Sequence, residues 1–368
     1  MTTIKETPYF SKKIGELVKG CQLCVQGKKL VLVVTGLCST KCYYCPLSDQ
    51  KKDKDLVWAN EWQTDKDKDI IKEAELCNSK GAGFTGGDPL IVLERTIHFI
   101  KILKQHFGQQ FHIHLYTPLT LVTKDKLKEL EKAGLDELRF HPDVEDDKLW
   151  NKIELAKNMN FDLGIEIPVI PGKKQKTIKL IDFIKDKVQF LNLNELEMSD
   201  ANCCNLKNHT TKDYLSYGVK GSEELGIELL EYCKSTNLNV HYCTTTLKDR
   251  IQLGERIKRR AKNIKKHYDI TTEEGLLIKA VIYLDELKPG TGYREKLKQN
   301  NTTIIEKLKI IQKKLKFHTD LDEIKPRLVC SRKNLEKNLK QIKLLDLVPA
   351  IVEEYPTHDA IEIEIEFL

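Results

Sequence analysis

Residues 36 to 47, GLCSTKCYYCPL, place Cys38, Cys42 and Cys45 within eight positions, directly after the apolar run LVLVVT. Three thiols so close together on a loop leaving an apolar strand point to metal. A closed structural zinc site takes four ligands, and the next cysteine along the chain is Cys77. A bacterial ferredoxin run spaces its cysteines by two, two and three residues and also uses four. Three thiolates can instead hold three irons of a four-iron cluster and leave the fourth iron without a protein ligand. An open iron can chelate a small molecule through an amine and a carboxylate.

S-Adenosylmethionine offers both groups. Iron–sulfur clusters reach strongly reducing potentials, low enough to push one electron into a sulfonium and break a C–S bond. The products would be methionine and a 5′-deoxyadenosyl radical, with the hard chemistry carried by the cofactor. Gly86-Gly87-Asp88-Pro89 fits the second half of this scheme. Glycines let backbone groups approach a ligand closely, and Asp88 lies nearby to receive an ammonium.

Such motifs need elements to aim them. Short β-branched runs are expected as strands at 30–36, 82–86, 111–117, 136–141, 163–170 and 189–198, with a weaker seventh at 238–243. Amphipathic helical stretches lie between them, among them KDIIKEAELCNSKG, ERTIHFIKILKQHFG and TKDKLKELEKAG, which end at glycine, a common helix stop. Strand and helix alternating at this interval imply parallel β/α units. Six or seven units favour a full or partial β/α barrel over an open doubly wound sheet. In such barrels the site lies at the C-terminal ends of the strands. The cysteine loop, TGGDP, YTP, FHP and PVIPG follow five successive strands and would share one mouth. After about residue 268 the rhythm changes to a strand, a Lys-rich helix at 294–317 and late strands around VPAIVEEYP and AIEIEIEFL, a smaller α+β domain. The division expected is an N-terminal CxxC segment (1–27), the barrel (28–245), then a basic helix and the α+β domain (246–368).

The chain of 368 residues, 40% hydrophobic and 32% charged, has no apolar stretch of membrane-spanning length. Its N-terminus lacks the apolar core of a signal peptide, so a cytoplasmic location is expected. There the 11 cysteines are reduced, and tight clusters of them read as metal ligands rather than disulfides. Net charge is +6, but residues 247 to 267 alone carry nine Lys or Arg against two acids. Arg256, Arg259 and Arg260 are spaced to share one helix face, which gives two readings: a solvated face, or a surface for a phosphate backbone.

Cys38-Ser39-Thr40-Lys41-Cys42-Tyr43-Tyr44-Cys45, with an aromatic just before the third cysteine, and Gly86-Gly87-Asp88-Pro89 together resemble the radical SAM superfamily. The resemblance covers roughly residues 28 to 245, with Asp88 where the family usually carries Glu. It implies cluster ligation by Cys38, Cys42 and Cys45, packing of Tyr44 near the cluster or adenine, and methionine-amine binding at Gly86, Gly87 and Asp88, with Pro89 closing the motif. It also implies an electron donor of the reduced ferredoxin or flavodoxin type. More narrowly, CQLCVQGKKLVL leading into the cysteine loop looks like archaeal radical SAM proteins loosely grouped with pyruvate formate-lyase activating enzymes, a likeness that supplies no reaction.

Cys21 and Cys24 form a second pair, CxxC followed by Gly27, like half of a zinc or iron–sulfur knuckle. Cys243, with His241, is the expected completion of a second metal site, either zinc or an auxiliary cluster, because the seventh strand should lie near the first. The alternative is three ordinary thiols. Glu166, Glu195 and Glu197 are carboxylates on strands expected to be buried, where an unpartnered carboxylate is costly. Some of them should therefore bind ligand or pair with Arg139, and Glu166 is the one assigned to cofactor binding. His114 and His141 face either the barrel interior or the core.

The chemistry expected is reductive cleavage of S-adenosylmethionine. Two substrates stay open: RNA, from the basic helix and the additional domain, and a protein partner, from the narrower resemblance. A non-enzymatic metal-binding protein is the distant alternative.

Overall fold

The computed structural model describes residues 3–214, 216–297 and 302–368. It divides into two compact units, Met1–Arg256 and Ile257–Leu368. In the first unit, a short helix α1 (Lys19–Cys24) precedes seven strands: β1 (Lys29–Thr35), β2 (Gly81–Gly86), β3 (His112–Thr117), β4 (Glu137–Phe140), β5 (Asp162–Val169), β6 (Phe190–Glu195) and β7 (Asn239–Cys243). All seven run parallel in sequence order. The crossovers carry α2 (Asp67–Leu76), α3 (Leu93–Phe107), α4 (Lys124–Ala133), α5 (Lys174–Ile184) and α6 (Ser222–Cys233), with a 3-10 turn, Trp150–Ala156, between β4 and β5.

Two alternating sets of side chains explain the architecture. On β1, Leu30, Leu32 and Val34 enter the main core with Phe99, Ile100 and Leu103 of α3 and Leu127 and Leu130 of α4. The intervening positions face inward, and the strands contribute His114, Arg139, Glu166, Asn192 and His241 to an interior cavity. A parallel sheet normally buries apolar side chains on both faces. Here the inner face is largely polar, which marks it as a site.

The barrel is partial. β1 is flanked on its free edge by Trp58–Ala59, and β7 by the antiparallel strand Ser11–Ile14 of an N-terminal hairpin with Lys5–Thr7. The hairpin and α1 carried no periodic signal in the sequence. Helix α1 is fixed through Gly20, whose N–H donates to Glu137 Oε2 at 2.9 Å. A Cβ on Gly20 would lie 2.5 Å from Arg139 Nη2 and 2.6 Å from Glu137 Oε1.

The second unit is an antiparallel sheet built on Leu277–Leu284, with Arg327–Cys330 on one side and Leu347–Glu354 followed by Glu362–Phe367 on the other. Leu308 of helix Thr302–Lys314, Leu335 and Ile342 pack on one face of it. The helix expected over 294–317 is present in part as Tyr293–Leu297 and Thr302–Lys314, and its positions 298–301 lie outside the described residues.

Candidate functional site

A cavity of about 420 Å³ opens at the C-terminal ends of the parallel strands and runs down into the barrel. Cys38, Cys42 and Cys45, together with Gly86 and Gly87, line its mouth. The loop that carries the cysteines is braced by the one after β2. Gly87 N–H donates to Thr35 O at 2.8 Å and Asp88 N–H to Leu37 O at 2.7 Å. A Cβ on Gly87 would lie 1.9 Å from the Leu37 carbonyl, so only glycine permits this approach.

Asp88 is fully buried. Its carboxylate accepts from Ser39 Oγ at 2.6 Å, from Thr117 Oγ1 at 2.8 Å and from Leu90 N–H at 3.0 Å. It thereby ties the cysteine loop to the ends of β2 and β3. Neither Asp88 nor Pro89 lines the cavity, whereas the backbone of the two glycines does. The sequence placed Asp88 against a ligand ammonium; the structure places its oxygens on the protein.

Tyr44 is held from both ends. Its carbonyl accepts from Asn202 Nδ2 at 2.9 Å, and its hydroxyl lies 3.0 Å from His141 Nε2. His141 Nδ1 is 2.7 Å from the carbonyl oxygen of Glu166, so Nδ1 carries the proton and donates. Burial pushes the Cys42 thiol up, but hydrogen bonds with His141, Thr40 and Tyr44 outweigh it and leave the group below its usual value. Burial raises Cys45. The loop thus presents thiols on a scaffold fixed by Asp88, Asn202 and His141.

One layer deeper lies a charged network. Arg139 donates through Nε to Glu137 Oε1 at 2.5 Å, and through Nη1 to Glu166 Oε2 at 2.7 Å and Tyr116 Oη at 3.0 Å. Glu166 also accepts from Asn192 and Asn194 at 2.8 and 2.9 Å. Burial disfavours the Glu166 charge, yet Arg139 and the two amides hold its carboxyl below the ordinary carboxylate value. Glu166 therefore lines the cavity as a fixed anion. The amides were readable as the alternation in FLNLNE, polar residues every second position on a strand expected to be buried.

Cys21, Cys24, His241 and Cys243 line the same cavity. Cys21 Sγ accepts from Arg139 Nη2 and Asn192 Nδ2, both at 3.4 Å. His241 Nε2 is 3.0 Å from Ser11 Oγ, and Cys243 packs with Val25 and Leu247. Among the described residues no group of three or more His, Cys, Asp or Glu side chains is arranged around a single metal position. Ligands of a four-iron cluster each bind a different iron, so Cys38, Cys42 and Cys45 need not converge on one point. Three thiols on one loop around an open cavity fit that cluster and leave room for its exchangeable position.

The basic stretch after β7 departs from a phosphate-binding face. Lys248 reaches Glu197 and lines the cavity. Arg256 is buried and forks onto Glu61 at 2.7 and 2.6 Å, and Arg260, also buried, donates to the Pro356 carbonyl.

A family model of the radical SAM superfamily matches residues 32–184. A protein of Methanocaldococcus jannaschii, provisionally named a glycyl-radical enzyme activating enzyme, is 38% identical to this chain, with 97% of this chain and 94% of the relative covered. Among solved structures, Streptococcus suis SuiB bound to S-adenosylmethionine overlaps at a TM-score of 0.41 and 16% identity, over 59% of this chain and 50% of that one. Methylornithine synthase overlaps at a TM-score of 0.38 and 15% identity, over 59% of this chain and 70% of that one. The chain thus spans half the length of SuiB. No helix among the described residues is long and apolar enough to cross a membrane.

Proposed function

We infer that this chain, which belongs to the radical SAM superfamily, acts as an activating enzyme that delivers a radical to a protein partner. Membership makes it an enzyme with a four-iron, four-sulfur cluster and S-adenosylmethionine as cofactors, and its chemistry needs a one-electron reductant. When bound, such a cluster would supply the electron needed to break a C–S bond of S-adenosylmethionine. Cys38, Cys42 and Cys45 would hold it, and the backbone of Gly86 and Gly87 would border the methionine end. Asp88 supports this indirectly, by fixing the cysteine loop. Glu166, held rigid by Arg139, Asn192 and Asn194, offers its lone pairs to ribose or substrate hydroxyls.

The carrying observation is the 38% identity over nearly the whole of both chains to the provisionally named activating enzyme. The disposition of the basic stretch supports the same choice over RNA, because two of its three expected phosphate contacts, Arg256 and Arg260, are buried and bonded within the protein. A reduced ferredoxin or flavodoxin is the donor proposed.

The test is anaerobic reconstitution with S-adenosylmethionine and reduced flavodoxin, followed by separate addition of protein and RNA fractions. Stimulation of 5′-deoxyadenosine release by a protein fraction, with a carbon-centred radical signal on a polypeptide, supports the reading. Stimulation confined to RNA overturns it.

A further inference from the structure

The N-terminal hairpin turns at the same end of the barrel as the cysteine loop. Its strand Ser11–Ile14 runs antiparallel to β7 with Lys12 opposite Tyr242, so the turn lies past the C-terminal end of β7. Thr244 Oγ1 fastens it there by donating to the Phe10 carbonyl at 2.5 Å. Three residues, Pro8, Tyr9 and Phe10, join Thr7 to Ser11. A hairpin turn of that length takes its last residue left-handed, a position that suits glycine. Here that residue is Phe10, at φ 57°. The two aromatic side chains of the turn diverge. Tyr9 packs with Val25, Cys243 and Leu247, whereas Phe10 stays 52% exposed. A left-handed backbone on a bulky residue costs energy, and the half-exposed ring recovers little of it by burial.

A second cavity, of about 450 Å³, opens beside Phe10 and is lined by Glu6, Lys12, Lys212, Glu223 and Thr246. An ion pair links it to the barrel: Lys212, on its wall, meets Glu195, which lines the main cavity. Its charges are balanced, Lys12 with Glu6 at 2.6 Å and Lys212 with Glu223 at 2.5 Å, so it selects neither an anion nor a cation. Tyr214, two residues from Lys212 on the loop between β6 and α6, adds a second bare aromatic ring.

We propose that Phe10 and this second cavity dock the protein partner, and that they take an uncharged segment flanking the residue that receives the radical. An aliphatic or aromatic side chain of that segment sets against the Phe10 ring. The proposal rests on the activating-enzyme reading. A polypeptide that brings one residue to the mouth must lay its neighbours on the rim, and the end of β7 is part of that rim. The strained, exposed ring is then covered only in the complex, which gives a reason for phenylalanine at a glycine position. Aromatic anchors covered at the centre of a contact carry much of its affinity.

The reconstituted full chain tests this as wild type, Phe10→Gly and Phe10→Tyr. The probe is the protein fraction that stimulates 5′-deoxyadenosine release from the wild type. Phe10→Gly should keep or raise the thermal midpoint and keep partner-free cleavage of S-adenosylmethionine. It should need about tenfold more of the fraction for half-maximal stimulation, while Phe10→Tyr stays near wild type. An equal requirement in wild type and Phe10→Gly overturns the docking site and leaves the activating reading intact. A wild type that no protein fraction stimulates overturns both. A midpoint lowered by Phe10→Gly would assign the residue to the fold and overturn the docking role. A second measurement does not depend on affinity. With p-benzoylphenylalanine in place of Phe10, irradiation should join the chain to the polypeptide that carries the radical signal. Crosslinking confined to a second copy of this chain would make the rim a self-contact and overturn the proposal.

Discussion

Ser39 and Asp88 are joined by a 2.6 Å hydrogen bond across two loops that leave neighbouring strands. Ser39 lies between the first two cysteines of the cluster loop, and Asp88 closes the glycine pair, so each half of the site is positioned by the other. Asp88→Ala removes the acceptor for Ser39, Thr117 and Leu90 N–H at once, in a fully buried setting. Loss of a buried, hydrogen-bonded group costs about 1–3 kcal/mol. Reconstituted iron content and thermal midpoint should both fall, as read by iron analysis and calorimetry. Full iron content with weakened S-adenosylmethionine binding would return Asp88 to the role of a direct ligand contact.

The cluster itself is tested at its sulfurs. Cys38→Ala, Cys42→Ala or Cys45→Ala each leaves two of three protein ligands. Visible absorption after reconstitution and reductive release of 5′-deoxyadenosine should be lost in every case. A fully active Cys42→Ala protein would sink the ligand assignment.

Much of this was legible in the chain. The seven strands fall within three residues of their expected ends, because each is a short run rich in apolar residues and bounded by a turn or loop. The cysteine loop and the glycine pair meet as their shared position after consecutive strands required. Asp88 was harder to read, because sequence shows a carboxylate beside two glycines but not that three donors within the protein already surround it. The basic stretch misled for a related reason. Arg256 and Arg260 share a face, as their spacing required, but the partners that bury them, Glu61 and the Pro356 carbonyl, lie 195 and 96 residues away in sequence. Helix α1 is six residues long, too short for periodicity to show, and what places it is a missing side chain at Gly20.

That missing side chain gives a third prediction. Gly20→Ala puts a methyl group against Glu137 and Arg139, and both are held too firmly by Gly20 N–H, Glu166 and Tyr116 to yield without loss. Forcing a methyl into a packed interior costs about 1–3 kcal/mol. Urea unfolding should show a lowered midpoint, and Cys21 should become more reactive toward thiol reagents as α1 lifts. An unchanged midpoint would mean that α1 is not seated on this pair.

The base of the barrel supplies a pH test. Lys29 Nζ lies 2.7 Å from the His112 carbonyl, 3.0 Å from that of Ala82 and 2.8 Å from His112 Nδ1. Burial pulls its ammonium down to about 7, with Cys24 and Glu137 resisting the shift and Arg139 assisting it. Burial also keeps His112 neutral by pulling it down to about 2, so its Nδ1 accepts from Lys29 whether or not the amine is charged. In the unfolded chain a lysine holds its proton to about pH 10.4. Below pH 7 both states bind that proton and the cost of burying it is fully present. Between pH 7 and about 10 only the unfolded state binds it, so Lys29's contribution to stability rises with pH across that window. Urea unfolding of wild type and Lys29→Met at intervals from pH 6 to pH 10 isolates the effect, since other titrating groups are common to both proteins. The stability difference, wild type minus Lys29→Met, should grow from pH 7 upward and stay flat below it. A difference independent of pH would show that Lys29 keeps its proton in the folded barrel.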